Sequence, residues 1–122
     1  MNLQKHIRLV EKLADLTGAG GIQWNHSAEE NEFQLSFKDN SIRIRQTVGR
    51  DSKTVFIDLL NSEGSIVETF HDGELDDFTG NSPNSVWLEK MSNLYTAARR
   101  SALGSDKVLD SILNELDDII PF

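Results

Sequence analysis

Between residues 32 and 70, four short runs alternate apolar and polar side chains, and only a few turn-forming residues separate each run from the next. Phe33, Leu35 and Phe37 alternate with Gln34, Ser36 and Lys38, and Ile42 and Ile44 with Arg43 and Arg45. Val55, Ile57 and Leu59 alternate with Thr54, Phe56, Asp58 and Leu60, and Ser65 to Phe70 closes the series. A period of two sends successive side chains to opposite sides of a strand. Connections this short can join only antiparallel neighbours. Asp39-Asn40, Gly49 to Ser52 and Asn61 to Gly64 supply the turns, the first because Asp and Asn tolerate positive φ. The segment is expected to form a four-stranded antiparallel meander with one buried and one wet face. The rest of the chain must then cover the buried face.

Three stretches have the period to do so. Residues 3–17 place Leu3, Ile7, Val10, Leu13, Ala14 and Leu16 at helical spacing, with Asn2 as N-cap and Gly18 to Gly21 as the stop. Residues 85–103 carry Trp87, Leu88, Met91, Leu94, Tyr95, Ala98 and Ala102, capped by Ser82 or Ser85, with Pro83 suited to a first turn. After Gly104, residues 105–119 carry Val108, Leu109, Ile112, Leu113, Leu116 and Ile119 from a Ser105-Asp106 start to a Pro121 stop. Residues 71–84 show no sustained period and are expected to cross irregularly from sheet to helix. The expected fold is a single two-layer α+β domain, the four-stranded antiparallel meander being covered on one face by the N-terminal helix and the two C-terminal helices. At 122 residues such a domain can bury one core without staples.

Composition removes several function classes. There is no cysteine, which excludes thiol catalysis and Cys-ligated metal sites. A formal charge of −8 argues against nucleic acid as a partner, since counterion release rewards a basic face. No apolar run is long enough to span a bilayer, and the N-terminal residues open directly into an amphipathic helix, so a cytoplasmic location is expected. Asn25-His26-Ser27 is then a chance match to a glycosylation triplet. No dinucleotide, phosphate-loop, zinc-protease or nucleophile-elbow motif is present. The glycines at 18–21 follow a helix, whereas a phosphate cradle needs the amides that begin one. His6, His26 and His71 lack ligand spacing, and the acids beside His71-Asp72 do not match a calcium loop. Asp76-Asp77 and Glu29-Glu30 read as surface charge rather than as an acid–base pair. No catalytic residue, cofactor or metal is expected, and an enzyme is the least favoured class.

Interaction with another protein is the favoured one, and three regions are candidates. On the wet face, Gln34, Ser36, Arg43, Arg45, Phe56, Asp58 and Glu68 are placed together, with Asp58 pairing across strands to Arg43 or Arg45. Phe56 and Leu60 are apolar where polar residues belong, so Arg43, Arg45, Phe56, Asp58 and Leu60 form a candidate interface, including one for a homodimer. The charge is one-sided: residues 1–60 hold eight basic and eight acidic side chains, residues 61–122 four and twelve. Asp72, Glu74, Asp76, Asp77, Asp117 and Asp118 form a candidate acidic surface for a basic partner, as in an immunity or antitoxin-like protein masking a toxin. Trp24, Phe78 and Trp87 are a candidate small-ligand pocket, with Trp24 expected to lid the core between helix and sheet. Tyr95 needs a partner for its hydroxyl if buried. Arg99-Arg100 suits a helix C-terminus or the acids nearby.

Thr17-Gly18, Gly21-Ile22-Gln23-Trp24, the meander, the run Leu94 to Ala102 and the run Asp106 to Leu113 together give the chain a familiar outline. It resembles a loose group of small bacterial proteins found in mobile DNA, such as integron gene cassettes and phages. The resemblance implies a helix–meander–helix fold and a bacterial cytoplasmic origin, and carries over no catalytic residues.

Overall fold

The computed structural model describes residues 2–82 and 84–119. Helix α1 (Gln4–Gly18) leads through a glycine turn to strands β1 (Asn25–His26), β2 (Glu32–Ser36), β3 (Ser41–Val48), β4 (Lys53–Leu60) and β5 (Ile66–His71). Helices α2 (Asp72–Thr79), α3 (Val86–Leu103) and α4 (Ser105–Ile119) follow. The sheet is antiparallel throughout, in the order β1-β2-β3-β4-β5. The α+β class and the meander are as expected, and the three long helices lie within a residue of their expected bounds. Pro83 and Pro121, expected as a helix start and a helix stop, lie outside the described residues.

The sheet has a fifth strand because Asn25 and His26 pair with Gln34 and Phe33. Two residues are too short to show alternation in sequence. Asp39-Asn40 does make the first turn, closed by Phe37 N–H donating to Asn40 O at 2.8 Å. Neither takes a positive φ; among the described non-glycine residues Asn31 (65°), just before β2, and Ser85 (55°) do. The covered face carries Phe33, Ile44, Val55, Ile57 and Phe70, all buried against α1, α2 and α3. Glu68 also lies there, a correction to its expected place on the wet face. It is two residues from Phe70, so alternation puts both on one side, and His6 Nε2 of α1 meets its carboxylate at 2.7 Å.

The segment at 71–84 is a second departure: its first part is α2, not an irregular crossing. Its N-terminus is capped reciprocally, Gly73 N–H donating to His71 Nδ1 and His71 N–H to Glu74 Oε1. Leu75 is fully buried, and Gly80 ends the helix at φ 74°. With α2 in the covering layer, α3 lies across the sheet between α1 and α2, and the cover is complete without α4. The expectation that the 105–119 helix covers the sheet is therefore overturned.

Candidate functional site

On the uncovered face the antiparallel register lines up Gln34, Arg43, Asp58 and Thr69 across four strands. Asp58 Oδ2 accepts from Arg43 Nε at 3.1 Å and Arg45 Nε at 3.0 Å. Oδ1 accepts from Thr69 Oγ1 at 2.7 Å and Arg45 Nη2 at 3.3 Å. The Asp58 side chain has 0% exposure. Burial by itself raises the pKa of the carboxyl, but the hydrogen bonds from Arg45, Thr69 and Arg43 outweigh it and hold the group below the usual carboxylate range. The hydrogen bond to Asp58 likewise raises the pKa of Arg45. Four donors occupy the carboxylate, which leaves it no free lone pair for a ligand.

The same cluster covers the aromatic expected to be exposed. Phe56 lies beneath the Arg45 guanidinium, 4.4 Å from its ring centroid, and against His71 at 5.5 Å. Leu60 is only 7% exposed, in a hollow that Phe37, Asn61 and Val67 also line. Arg43, Arg45, Phe56 and Asp58 are thus brought together as an internally satisfied ion cluster, and Leu60 is buried apart from it.

The acidic surface is also smaller than its composition implies. Asp72 is buried and Oδ1 accepts from Val55 N–H at 2.8 Å, one residue beyond the last β4–β5 pair. Asp76 is buried and Oδ1 accepts from Trp87 N–H at 2.9 Å, capping α3. Both carboxylates are internal and are withdrawn from the candidate partner surface. Glu74 is partly exposed in the α2 cap, while Asp77, Asp117 and Asp118 face solvent. Asp76→Ala is expected to lower stability by about 2 kcal/mol, because it strands a buried amide donor. Urea unfolding checks this, and Asp77→Ala, one residue along, is expected to leave the midpoint in place.

Trp24, Phe78 and Trp87 do not converge on one cavity. Trp24 is fully buried, with Nε1 donating to Thr17 Oγ1 at 3.0 Å and the backbone N–H to Ser101 Oγ at 2.9 Å. Trp87 is buried under Lys90, whose Nζ is 4.6 Å from the ring centroid. Phe78 is partly exposed on α2. A hollow of about 380 Å³ lies near the α1 C-terminus, lined by Thr17, Gln23, Arg100, Ser101 and Lys107 among others, and holds none of the three. Tyr95 finds its partner, donating to Asn31 O at 2.9 Å, and burial raises its pKa. Among the described residues no group of three or more histidines and carboxylates is placed to hold a metal.

Helix α4 is the feature that stands apart. None of its residues is buried, and the element it packs against is α3. Val108, Leu109, Ile112, Leu113 and Leu116 are 48–55% exposed and Ile119 is 73% exposed. Gly104, at φ 67°, turns the chain out of α3, and Arg100 Nη2 meets Asp106 Oδ1 at 2.8 Å across the junction. An apolar stripe of this length faces water unless something covers it. The helix was legible in sequence, but its stripe reads there as core. Only the helical character of 72–79 could have shown that the cover was already filled, and Gly73 and the acids obscure it. No helix among the described residues is long and apolar enough to cross a membrane. Comparison with protein-family models, with curated proteins and with solved structures finds no match to this chain.

Proposed function

We propose that this domain is a non-enzymatic protein-interaction module, an adaptor that presents α4 to another polypeptide. The carrying observation is the α4 stripe: six large apolar side chains about half exposed or more, on a helix that buries no residue. Amphipathic helices that dock do so through anchors at this spacing. The rest of the molecule reads as its support. The Arg43–Arg45–Asp58 cluster closes the wet face of the sheet, and α3 holds the base of α4 through Gly104 and the Arg100–Asp106 pair.

Site-specific photo-crosslinking in cells that make the protein tests this. A photoreactive side chain at Leu113, on the stripe, is expected to give a polypeptide adduct of defined mass. The same group at Asn114, on the opposite face, is expected to give none. Equal adducts from both positions, or none from either, would overturn the reading.

A further inference from the structure

The margins of the α4 stripe say what covers it. At ~100° per residue, Val108, Leu109, Ile112, Leu113, Leu116 and Ile119 fill an arc of about 140°. Leu113 stands at one margin; Asp106, already paired with Arg100, and then Asp117 and Asp110 follow it outward. Val108 stands at the other margin, with Glu115 beside it. Lys107, the one base of the helix, lies on the far side. The stripe is therefore edged by Asp117 and Asp110 on one side and by Glu115 on the other, all of them exposed.

This pattern disfavours a second copy as the occupant. Laid antiparallel, two such helices bring each margin against its own kind. Laid parallel, they bring the Asp110–Asp117 margin against Glu115. Either arrangement opposes like charges as the apolar faces close. A helix with the same apolar arc but cationic margins reverses the sign at every one of these positions.

We infer that α4 seats an amphipathic helix of a different polypeptide, apolar on one face and lined with Lys or Arg along both margins of that face. This rests on the reading of α4 as the docking element. The stripe supplies the contact, and the acidic margins choose the partner's charge and speed its approach.

The probes are two labelled peptides of the length of α4, one a leucine/lysine amphipathic helix and one with glutamate at every lysine position. They are titrated into the full chain and followed by fluorescence anisotropy. The lysine peptide is expected to bind at least about tenfold more tightly than the glutamate peptide, and to weaken as salt screens the margins. Asp110→Asn with Asp117→Asn is expected to weaken lysine-peptide binding several-fold. Leu113→Ser with Leu116→Ser is expected to abolish it, with circular dichroism unchanged because neither side chain is buried. If the stripe variant abolishes binding but both peptides bind alike, the basic partner is overturned and the docking helix stands. Binding unaffected by the stripe variant overturns both. Sedimentation as a dimer at low salt, lost on Leu113→Ser with Leu116→Ser, gives the seat to a second copy and overturns the basic partner.

Discussion

Asp58→Ala is expected to destabilise the domain by about 3–5 kcal/mol, the cost of breaking a buried ion cluster by removing one side. The loss is larger than the contacts alone suggest, because it strands partners. Arg43 and Arg45 are only partly exposed, and both send Nε to Asp58. Without the carboxylate, two adjacent guanidiniums repel one another and Thr69 loses its acceptor. Asp58→Asn is expected to lose less, since it keeps an acceptor oxygen, but it cannot balance either cation. The two variants also differ from the parent in acid. The folded pKa of Asp58 lies below its unfolded value of about 3.9. Its contribution is therefore fully present above that value and is lost as pH falls through the folded pKa. Urea midpoints measured from neutral pH down into the acid range are expected to show the difference between parent and Asp58→Asn shrinking below about pH 4. A difference that persists unchanged into strong acid would show that the cluster is held by packing rather than by charge.

Trp24→Ala is expected to cost about 3–5 kcal/mol, in the range of large-to-small changes at fully buried aromatic positions. Trp24 joins the turn after α1 to both α1 and α3. Its ring is buried in the core, Nε1 reaches Thr17 at the end of α1, and its backbone N–H reaches Ser101 near the end of α3. Beside it, Gln23 Nε2 donates to Ser101 O at 2.6 Å. A cavity at this position therefore loosens α1, β1 and α3 together rather than one side chain. Trp24→Phe keeps most of the apolar body but loses the bond to Thr17 and some ring volume, so about 1–2 kcal/mol is expected. Thermal and urea unfolding of the pair separate the packing of the ring from its hydrogen bond. Equal losses in the two variants would place the energy in the indole N–H.

Much of the fold is local in origin, and that part was legible. The meander is written in alternation and in three short turns. Helices α1, α3 and α4 are written in apolar spacing and in the glycines at 18–21 and 104. Three misreadings share one cause. Glu68, Asp72 and Asp76 are charged, and charge suggests solvent. Each is instead spent on a specific partner: His6, Val55 N–H and Trp87 N–H. None of these partners lies within ten residues in the chain, so no local pattern announces the pairing. Phe56 misled in the opposite sense. An aromatic on the wet face suggests an interface, yet the Arg45 guanidinium already covers it. Of the acids that remain exposed, five are on α4 and nine are spread over the other helices, turns and loops.

The amino-acid sequence by itself determined where the strands and long helices run, which side of each is apolar, and that the excess negative charge belongs to the second half of the chain. Those properties follow from periods of two and 3.6 residues and from the turn chemistry of single residues. Tertiary structure alone decided which apolar faces meet. The covered side of the sheet has room for a limited number of helices, and α2, hidden among acids and a glycine, takes the place that the periodicity of 105–119 would claim. A helical stripe reports that a face needs a partner, but not whether that partner lies within the same fold. In this protein the stripe of α1 and that of α3 are met inside, and that of α4 is left facing out.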